Sequence, residues 1–211
     1  MIKVMLCDDH ALIRRGIRDT LSDASDIEVV GEAGDYGELR TLMRGHACDV
    51  LVLDINMPGR SGLDVLHVLK DEGSPVRVLV VSMYPEDQYA IRALRAGAFG
   101  YVNKGGDPAL IVAAVRTVAQ GRKYVTPEIA QMLVESLTTP ENGSAHHKLS
   151  DREMQTLVMI ASGKRLSDIA EELMLSPKTV SVYRARVLEK LGLGNNSELT
   201  VYAIRNGLVG N

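Results

Sequence analysis

Carboxylates, a hydroxyl and an amine stand where apolar runs stop. "IKVMLC" runs into Asp8 and Asp9, "DVLVL" into Asp54, "VRVLVV" into Ser82 and "FGYVN" into Lys104. Three carboxylates gathered in a partly buried site repel by several kcal/mol at an effective dielectric of about 20, so a positive partner is expected. A hard all-oxygen donor set with room for waters suits Mg²⁺, which often bridges to a phosphate. Lys104 adds a compact ammonium for a phosphoryl oxygen, and Ser82 adds a hydroxyl donor. An Asp carboxylate can itself attack phosphorus and form an aspartyl phosphate. Asp54, followed by the Pro-Gly loop "INMPGRSG", is the candidate nucleophile, and Asp8 and Asp9 are better placed to hold the metal. Any one of these acids alone reads more simply as a helix cap or loop opener. The ordered set favours a phosphoryl-transfer site.

The elements that must position this set are legible in the same residues. Through Gly121 the chain alternates five runs rich in Val, Ile and Leu ("IKVMLC", "IEVVGEA", "DVLVLD", "VRVLVVS", "FGYVNK") with helix-length segments. Runs without polar alternation suit strands buried on both faces, and βα alternation implies a parallel sheet with helices on both sides. In such sheets ligands bind beyond the carboxyl ends of the strands, where strand order reverses. That is where the five polar groups fall. His10 is placed to start the first helix.

After Gly121 the pattern changes. Thr126, Pro127 and Glu128 open a short amphipathic helix carrying Ile129, Met132, Leu133 and Leu137, and "TTPENGSAHHK" has linker composition. His146 and His147 within it read as solvated linker rather than a zinc site. From Leu149 onward only helices are expected, opened by Ser150 with Glu153, by Ser176 with Pro177, and by Asn195 with Glu198. "LSDIAEELMLSPKTVSVYRARVLEKLG" holds two helices joined by a tight turn around Leu175 and Ser176. Ile169, Ala170, Leu173, Val180, Val187, Leu188 and Leu191 supply a core. The face left outward carries Lys178, Ser181, Val182, Ala185 and Arg186, with Thr179 beside them. This is helix-turn-helix patterning, whose second helix enters the major groove of double-stranded DNA. Arg184, Arg186, Lys178 and Lys190 are candidates for phosphates.

Bulk properties set the frame. The 211 residues are 45% hydrophobic and carry a net charge of -3, which allows one large domain or two smaller ones. Residues 148–211 hold nine Lys or Arg against seven Asp or Glu, a mild bias toward a polyanion partner. Cys7 and Cys48 lie in apolar strand contexts and are expected as reduced thiols. No signal peptide is evident, and no apolar run approaches the roughly 20 residues needed to cross a bilayer. A cytoplasmic protein with no membrane partner is expected.

Asp8-Asp9, Asp54 with "MPGRSG", Ser82 and "AGAFGYVNKG" together resemble the receiver domain of two-component response regulators over residues 1–121. "LSDREMQTLVMIASG", "LSDIAEELMLSPKTV" and "LEKLGLGNNSEL" resemble the LuxR-type DNA-binding domain over 148–211, with 122–147 as a linker bearing a short helix. The whole resembles a response regulator of the NarL/FixJ type. That resemblance implies a five-stranded flavodoxin-like domain followed by a small four-helix domain. It implies that Asp54 is phosphorylated by a histidine kinase, with Mg²⁺ held by Asp9, Asp54, the backbone carbonyl of Asn56, and Asp8 through water. Ser82 and Tyr101 would be the switch pair, with Tyr101 moving inward as Ser82 turns to the phosphate. Asn56 and Tyr84 flank the pocket. The implied protein is not a turnover enzyme, although it would catalyse its own phosphorylation and dephosphorylation. The expected partners are promoter DNA, a sensor kinase, RNA polymerase and a second copy of the chain when phosphorylated, paired through Leu199, Tyr202, Ala203 and Leu208. Ser181 and Tyr183 replace the Lys and His of many members, which shifts DNA contact toward Arg184 or Arg186. Two other readings stay open. One is a Mg-dependent aspartyl-phosphate phosphotransferase or phosphatase, disfavoured by Asn56 where such enzymes carry a second Asp. The other is a LuxR-type regulator independent of phosphorylation.

Overall fold

The computed structural model of the chain describes residues 1–84, 86–138 and 145–209, apart from the side chains of 86–88, 135–138 and 147. It divides into two compact units, Met1–Ser136 and Leu137–Asn211. The first holds five strands, β1 (Ile2–Cys7), β2 (Ile27–Ala33), β3 (Val50–Leu53), β4 (Arg77–Ser82) and β5 (Gly100–Asn103). All pair in parallel, in the order β2-β1-β3-β4-β5. Between them run α1 (Ala11–Ser22), α2 (Tyr36–Gly45), α3 (Gly62–Asp71) and α4 (Glu86–Ala96), followed by α5 (Pro108–Ala119). The order reverses between β1 and β3, which makes their carboxyl ends the crevice of the fold.

Central strands β3 and β4 are buried almost throughout, as unbroken apolar runs require. Edge strand β2 is not: only Ile27 and Ala33 are fully buried, and the five residues between them are half-buried or exposed. An edge position leaves one side of the ladder open, so the expectation of burial on both faces fails there. Cys7 and Cys48 are free thiols, but Cys48 precedes β3 and is only half-buried.

Helix starts follow the local chemistry. Ser61 and Asp64 form a reciprocal capping box on α3, and Asp35 and Asp107 cap α2 and α5 through the N–H groups of Glu38 and Ala109. Helix α6 (Pro127–Thr138) starts where Thr126 accepts from the Ile129 N–H at 3.3 Å, with Ile129 fully buried.

The second unit contains α7 (Asp151–Ala161), α8 (Leu166–Glu172), α9 (Pro177–Leu191) and α10 (Asn196–Arg205). Helix α7 packs against α9 and α10, and α8 packs against α9. Its core is Met154, Leu157, Ile169, Leu173, Val180, Val187, Leu199, Ala203 and Leu208. Leu188 and Leu191 reach only half burial. The Ser150 capping box, the Ser176 cap with Pro177 and the Asn195 cap accepting from Glu198 all form as the sequence predicts. Residues 139–144 of the expected linker lie outside the described residues. Ala145–Lys148 form a short 3-10 turn in which His146 is buried, not solvated. Its backbone N–H donates to the Tyr202 hydroxyl at 3.3 Å, and its Nδ1 lies 3.0 Å from the same oxygen.

Candidate functional site

Sheet register brings the polar residues together. Cys7 pairs with Leu53, and the Asp54 N–H donates to the Cys7 carbonyl at 2.9 Å, so Asp8 and Asp54 leave neighbouring strands side by side. Ser82 pairs with Asn103, and the Lys104 N–H donates to the Ser82 carbonyl at 2.9 Å, which sets Lys104 one residue beyond β5. Lys104 Nζ then lies 2.7 Å from Asp8 and 2.9 Å from Asp54, with all three side chains at least 95% buried.

Burial pushes the Asp54 carboxyl above the usual carboxylate range, and neighbouring Asp8 adds to the rise. Lys104 and the Asn56 N–H pull the other way without cancelling it. A more basic carboxylate is a better nucleophile toward phosphorus, so the strain and the candidate role coincide. Burial also pushes the adjacent Cys7 thiol up to about 12, which leaves it inert beside Asp54.

Ligand atoms of Asp8, Asp9, His10 and Asp54 lie within 4.8 Å of one another. The carboxylate oxygens are the hard donors that Mg²⁺ requires, so the donor set fits that ion. His10 starts α1 as expected, with its N–H donating to Asp8 at 2.9 Å and its Nδ1 2.7 Å from Asp9. Its place in the acidic cluster was missed from sequence, although adjacency to Asp9 was the available signal. Arg14, one turn into α1, donates to the Asp8 carbonyl and pairs with Glu32 at 3.3 Å.

Gly62 also escaped notice beyond its place in "MPGRSG". Its N–H donates to the Ile55 carbonyl at 2.9 Å, and a Cβ on it would sit 2.1 Å from the Asp54 carbonyl oxygen. The loop after Asp54 therefore folds back onto the backbone of the candidate nucleophile, an approach that only glycine permits.

Ser82 and Tyr101 meet at Tyr84. The Tyr84 N–H donates to Ser82 Oγ at 3.3 Å, and the Tyr101 hydroxyl donates to the Tyr84 carbonyl at 2.7 Å. Tyr101 is wholly buried. The Tyr84 ring stacks on the buried Tyr89 of α4, with centroids 4.5 Å apart.

In the second unit, α9 presents Lys178, Ser181, Val182, Ala185 and Arg186 outward. Other expected DNA contacts are engaged within the unit. Thr179 bonds the Ser176 hydroxyl at 2.8 Å, Arg184 Nε donates to Asn196, and Lys190 Nζ lies 2.7 Å from the buried Glu153. The expected pairing surface needs correction. Leu199, Ala203 and Leu208 are buried inside a single copy, and half-buried Tyr202 is bound to His146. Helix α7 packs against α10. The apolar residues α10 does expose are Val201 and Ile204.

Known proteins match this arrangement over nearly its full length. Residues 4–116 match the response regulator receiver domain, and residues 147–203 match the bacterial regulatory proteins of the luxR family. The response regulator UvrY of Escherichia coli strain K12 is 40% identical over 99% of this chain and 96% of its own. The response regulator GacA of Pseudomonas aeruginosa is 39% identical, over 99% of this chain and 98% of its own. RcsB from Salmonella enterica serovar Typhimurium, solved bound to promoter rprA with the phosphomimetic BeF₃⁻, superposes with a TM-score of 0.66 at 26% identity, covering 95% of this chain and 97% of that one. Among the described residues no helix is long and apolar enough to cross a membrane. With its acidic strand-end pocket and its helix-turn-helix, the chain belongs to the two-component response regulators of the NarL/FixJ type, which join a receiver domain to a LuxR-type DNA-binding domain.

Proposed function

We propose that Asp54 accepts a phosphoryl group from a sensor histidine kinase and that this controls promoter binding through α9. The observation that carries the reading is Lys104, whose ammonium is buried between Asp8 and Asp54 within 3 Å of each. In the transfer, an Asp54 oxygen forms the new bond to phosphorus while the donor's bond to phosphorus breaks, and the leaving group takes up a proton. Lys104 is within reach of an oxygen of the phosphoryl group carried on Asp54. Asp9, Asp54, the Asn56 carbonyl and, through water, Asp8 would hold Mg²⁺, which when bound screens the gathered carboxylates and the incoming phosphoryl charge. Ser82 supplies a hydroxyl donor to the phosphoryl group, and its movement acts on Tyr101 through Tyr84. The same residues make the transfer self-catalysed with respect to the protein, without steady turnover of a small substrate.

The promoter-bound RcsB relative supports double-stranded DNA as the second partner, with Lys178, Ser181, Val182, Ala185 and Arg186 of α9 facing it. Phosphorylation shifts the population toward a form that pairs with a second copy on DNA, where it can meet RNA polymerase. Exposed Val201 and Ile204 of α10 replace the buried residues as the pairing contacts. A cytoplasmic location follows from these partners.

Incubation with phosphoramidate and Mg²⁺ tests the reading. The parent chain is expected to gain one acid-stable, hydroxylamine-labile phosphoryl group, with none on Asp54→Asn and none in EDTA. Equal labelling of Asp54→Asn, or equal promoter affinity of labelled and unlabelled parent, would remove Asp54 from control.

A further inference from the structure

Asn103 occupies the last position of β5, immediately before Lys104. Its side chain reaches in two directions at once. The carboxamide Nδ2 donates to the Tyr84 carbonyl at 3.2 Å, and Oδ1 accepts from the Gly105 N–H at 2.8 Å. Its backbone carbonyl accepts from the Gly106 N–H at 3.1 Å, which closes the turn that follows Lys104. One carboxamide thus bridges two loops that the sheet places side by side: the loop from β4 to α4, which carries Tyr84, and the turn from β5 to α5, which follows Lys104. The position leaves little slack, because a Cβ on Gly105 would lie 3.1 Å from Asn103 Oδ1.

Tyr84 is the point where the switch pair converges. Its N–H is bound by Ser82, and its carbonyl is shared by Tyr101 and Asn103. Two donors on one carbonyl oxygen make the strength of each depend on the other. When Ser82 Oγ turns to a phosphoryl oxygen it gives up the Tyr84 N–H, and Tyr101 and Asn103 then hold the loop by its carbonyl. A carboxamide is well suited to this bridge because it presents a donor and an acceptor at opposite corners of one rigid plane. An aliphatic side chain of the same size offers neither.

We infer that Asn103 is a positioning residue that clasps the Tyr84 loop to the Lys104 turn, so that the ammonium of Lys104 and the Ser82–Tyr101 pair move as one unit during phosphoryl transfer. The inference rests on Asp54 being the phosphoacceptor. It assigns Asn103 no contact with the phosphoryl group; its effect passes through Lys104 and Tyr84. Without the clasp Lys104 samples positions away from Asp54, and loss of positioning slows the reaction by up to about tenfold.

The test follows single-turnover labelling of Asp54 by phosphoramidate with Mg²⁺ in the full chain. The parent, Asn103→Ala, Tyr101→Phe and the double variant are compared across a range of donor concentrations. Asn103→Leu, which keeps the volume, stands in if alanine loosens the strand, and thermal melting confirms folding. Asn103→Ala is expected to lower the maximal labelling rate about fivefold to tenfold while leaving the half-saturating donor concentration unchanged, because the residue does not touch the donor. Since Tyr101 and Asn103 share one carbonyl, the double variant is expected to differ clearly from the product of the two single effects. A parent-like rate in folded Asn103→Ala and Asn103→Leu overturns the clasp and leaves Asp54 as phosphoacceptor. Strictly multiplicative effects of the two substitutions overturn the shared-carbonyl coupling. If the parent itself takes no label on Asp54, both the phosphoacceptor reading and the clasp fall.

Discussion

Each unit of this chain buries a carboxylate against a lysine, and the two pairs behave in opposite ways. In the receiver, Asp54 meets Lys104 at 2.9 Å; in the helical unit, Glu153 meets Lys190 at 2.7 Å. Yet Asp54 titrates above the usual carboxylate range and Glu153 below it. Burial raises both and is the largest influence on each. What differs is how far the lysine itself is buried, 4% exposed for Lys104 against 40% for Lys190, and the remainder of the shell. Lys104 divides its charge between Asp54 and Asp8, and Asp8 repels Asp54 as well. Glu153 instead has Lys190 and the bonds of its capping box with Ser150, which together outweigh its burial. The same kind of ion pair is a strained reactive group in one unit and a structural clamp in the other, and depth of burial together with the competing carboxylate decides which.

The largest change expected in this contrast comes from the backbone behind Asp54. Gly62→Ala places a Cβ 2.1 Å from the Asp54 carbonyl oxygen, against main chain that cannot rotate away as a side-chain tip could. The loop from Ile55 to Ser61 must open, and overpacking of this kind costs about 3 kcal/mol or more. Hydrogen exchange resolved along the chain is expected to show lost protection in β3 and α3, with α7 to α10 unchanged. Full retention of receiver protection would mean that the loop is more pliant than its hydrogen bonds indicate.

The sequence made the strained pair more legible than the clamp. Residues at strand ends are fixed by sheet register, so four apolar runs with polar ends were enough to collect Asp8, Asp54, Ser82 and Lys104. Capping boxes are local and were equally readable at Ser150 and Asn195. Periodicity tells which face of a helix is buried but not which neighbour covers it. Leu199, Ala203 and Leu208 therefore read as contacts for a second copy, whereas the structure buries them within a single copy. Lys190 read as a phosphate contact for the same reason, since its partner Glu153 lies 37 residues away. His146 was misread because composition alone, without Tyr202 in view, makes its segment look solvated. Gly62 and Asn103 act through backbone approach and loop-to-loop bonds, which no periodicity encodes.

A smaller change separates the two carboxylates directly, through pH. The raised value of Asp54 means that its ionisation opposes folding. Its contribution is fully present below the ordinary carboxylate range and is lost as pH rises through the raised value. Glu153 has the opposite sign: its contribution is present above the ordinary range and is lost as pH falls through the lowered value. At neutral pH, Asp54→Asn is therefore expected to stabilise the receiver even as it abolishes phosphoryl uptake. Glu153→Gln is expected to destabilise the helical unit by about 1–3 kcal/mol, because it leaves Lys190 and the Ser150 N–H with a weaker acceptor. Urea unfolding monitored by hydrogen exchange in each unit, between about pH 2 and pH 8, gives both signs in one experiment. A destabilised receiver in Asp54→Asn would show that Lys104 stabilises Asp54 more than burial strains it.

The smallest expected effect concerns DNA, and it asks whether the clamp is also an interface. Arg186 is exposed on α9 and shares the outward face with Lys178, Ser181 and Val182. Lys190 lies one turn further on, but its ammonium is held by Glu153, and at 40% exposed its side chain is only partly available. An arginine that neutralises one phosphate releases about one condensed counterion, so Arg186→Gln is expected to weaken promoter binding a few-fold and to reduce the slope of log affinity against log salt by about 1. Lys190→Gln removes a charge already offset within the protein, so the same slope is expected to stay near the parent value while the helical unit loses stability. Titrations of a promoter fragment between about 50 and 200 mM salt distinguish the two, because a lysine on phosphate changes the slope and a lysine on Glu153 changes the melting. If Lys190→Gln lowers the slope as much as Arg186→Gln does, the ammonium leaves Glu153 on binding DNA. Glu153 would then be an uncompensated buried carboxylate in the complex, and the clamp would share the strain that marks Asp54.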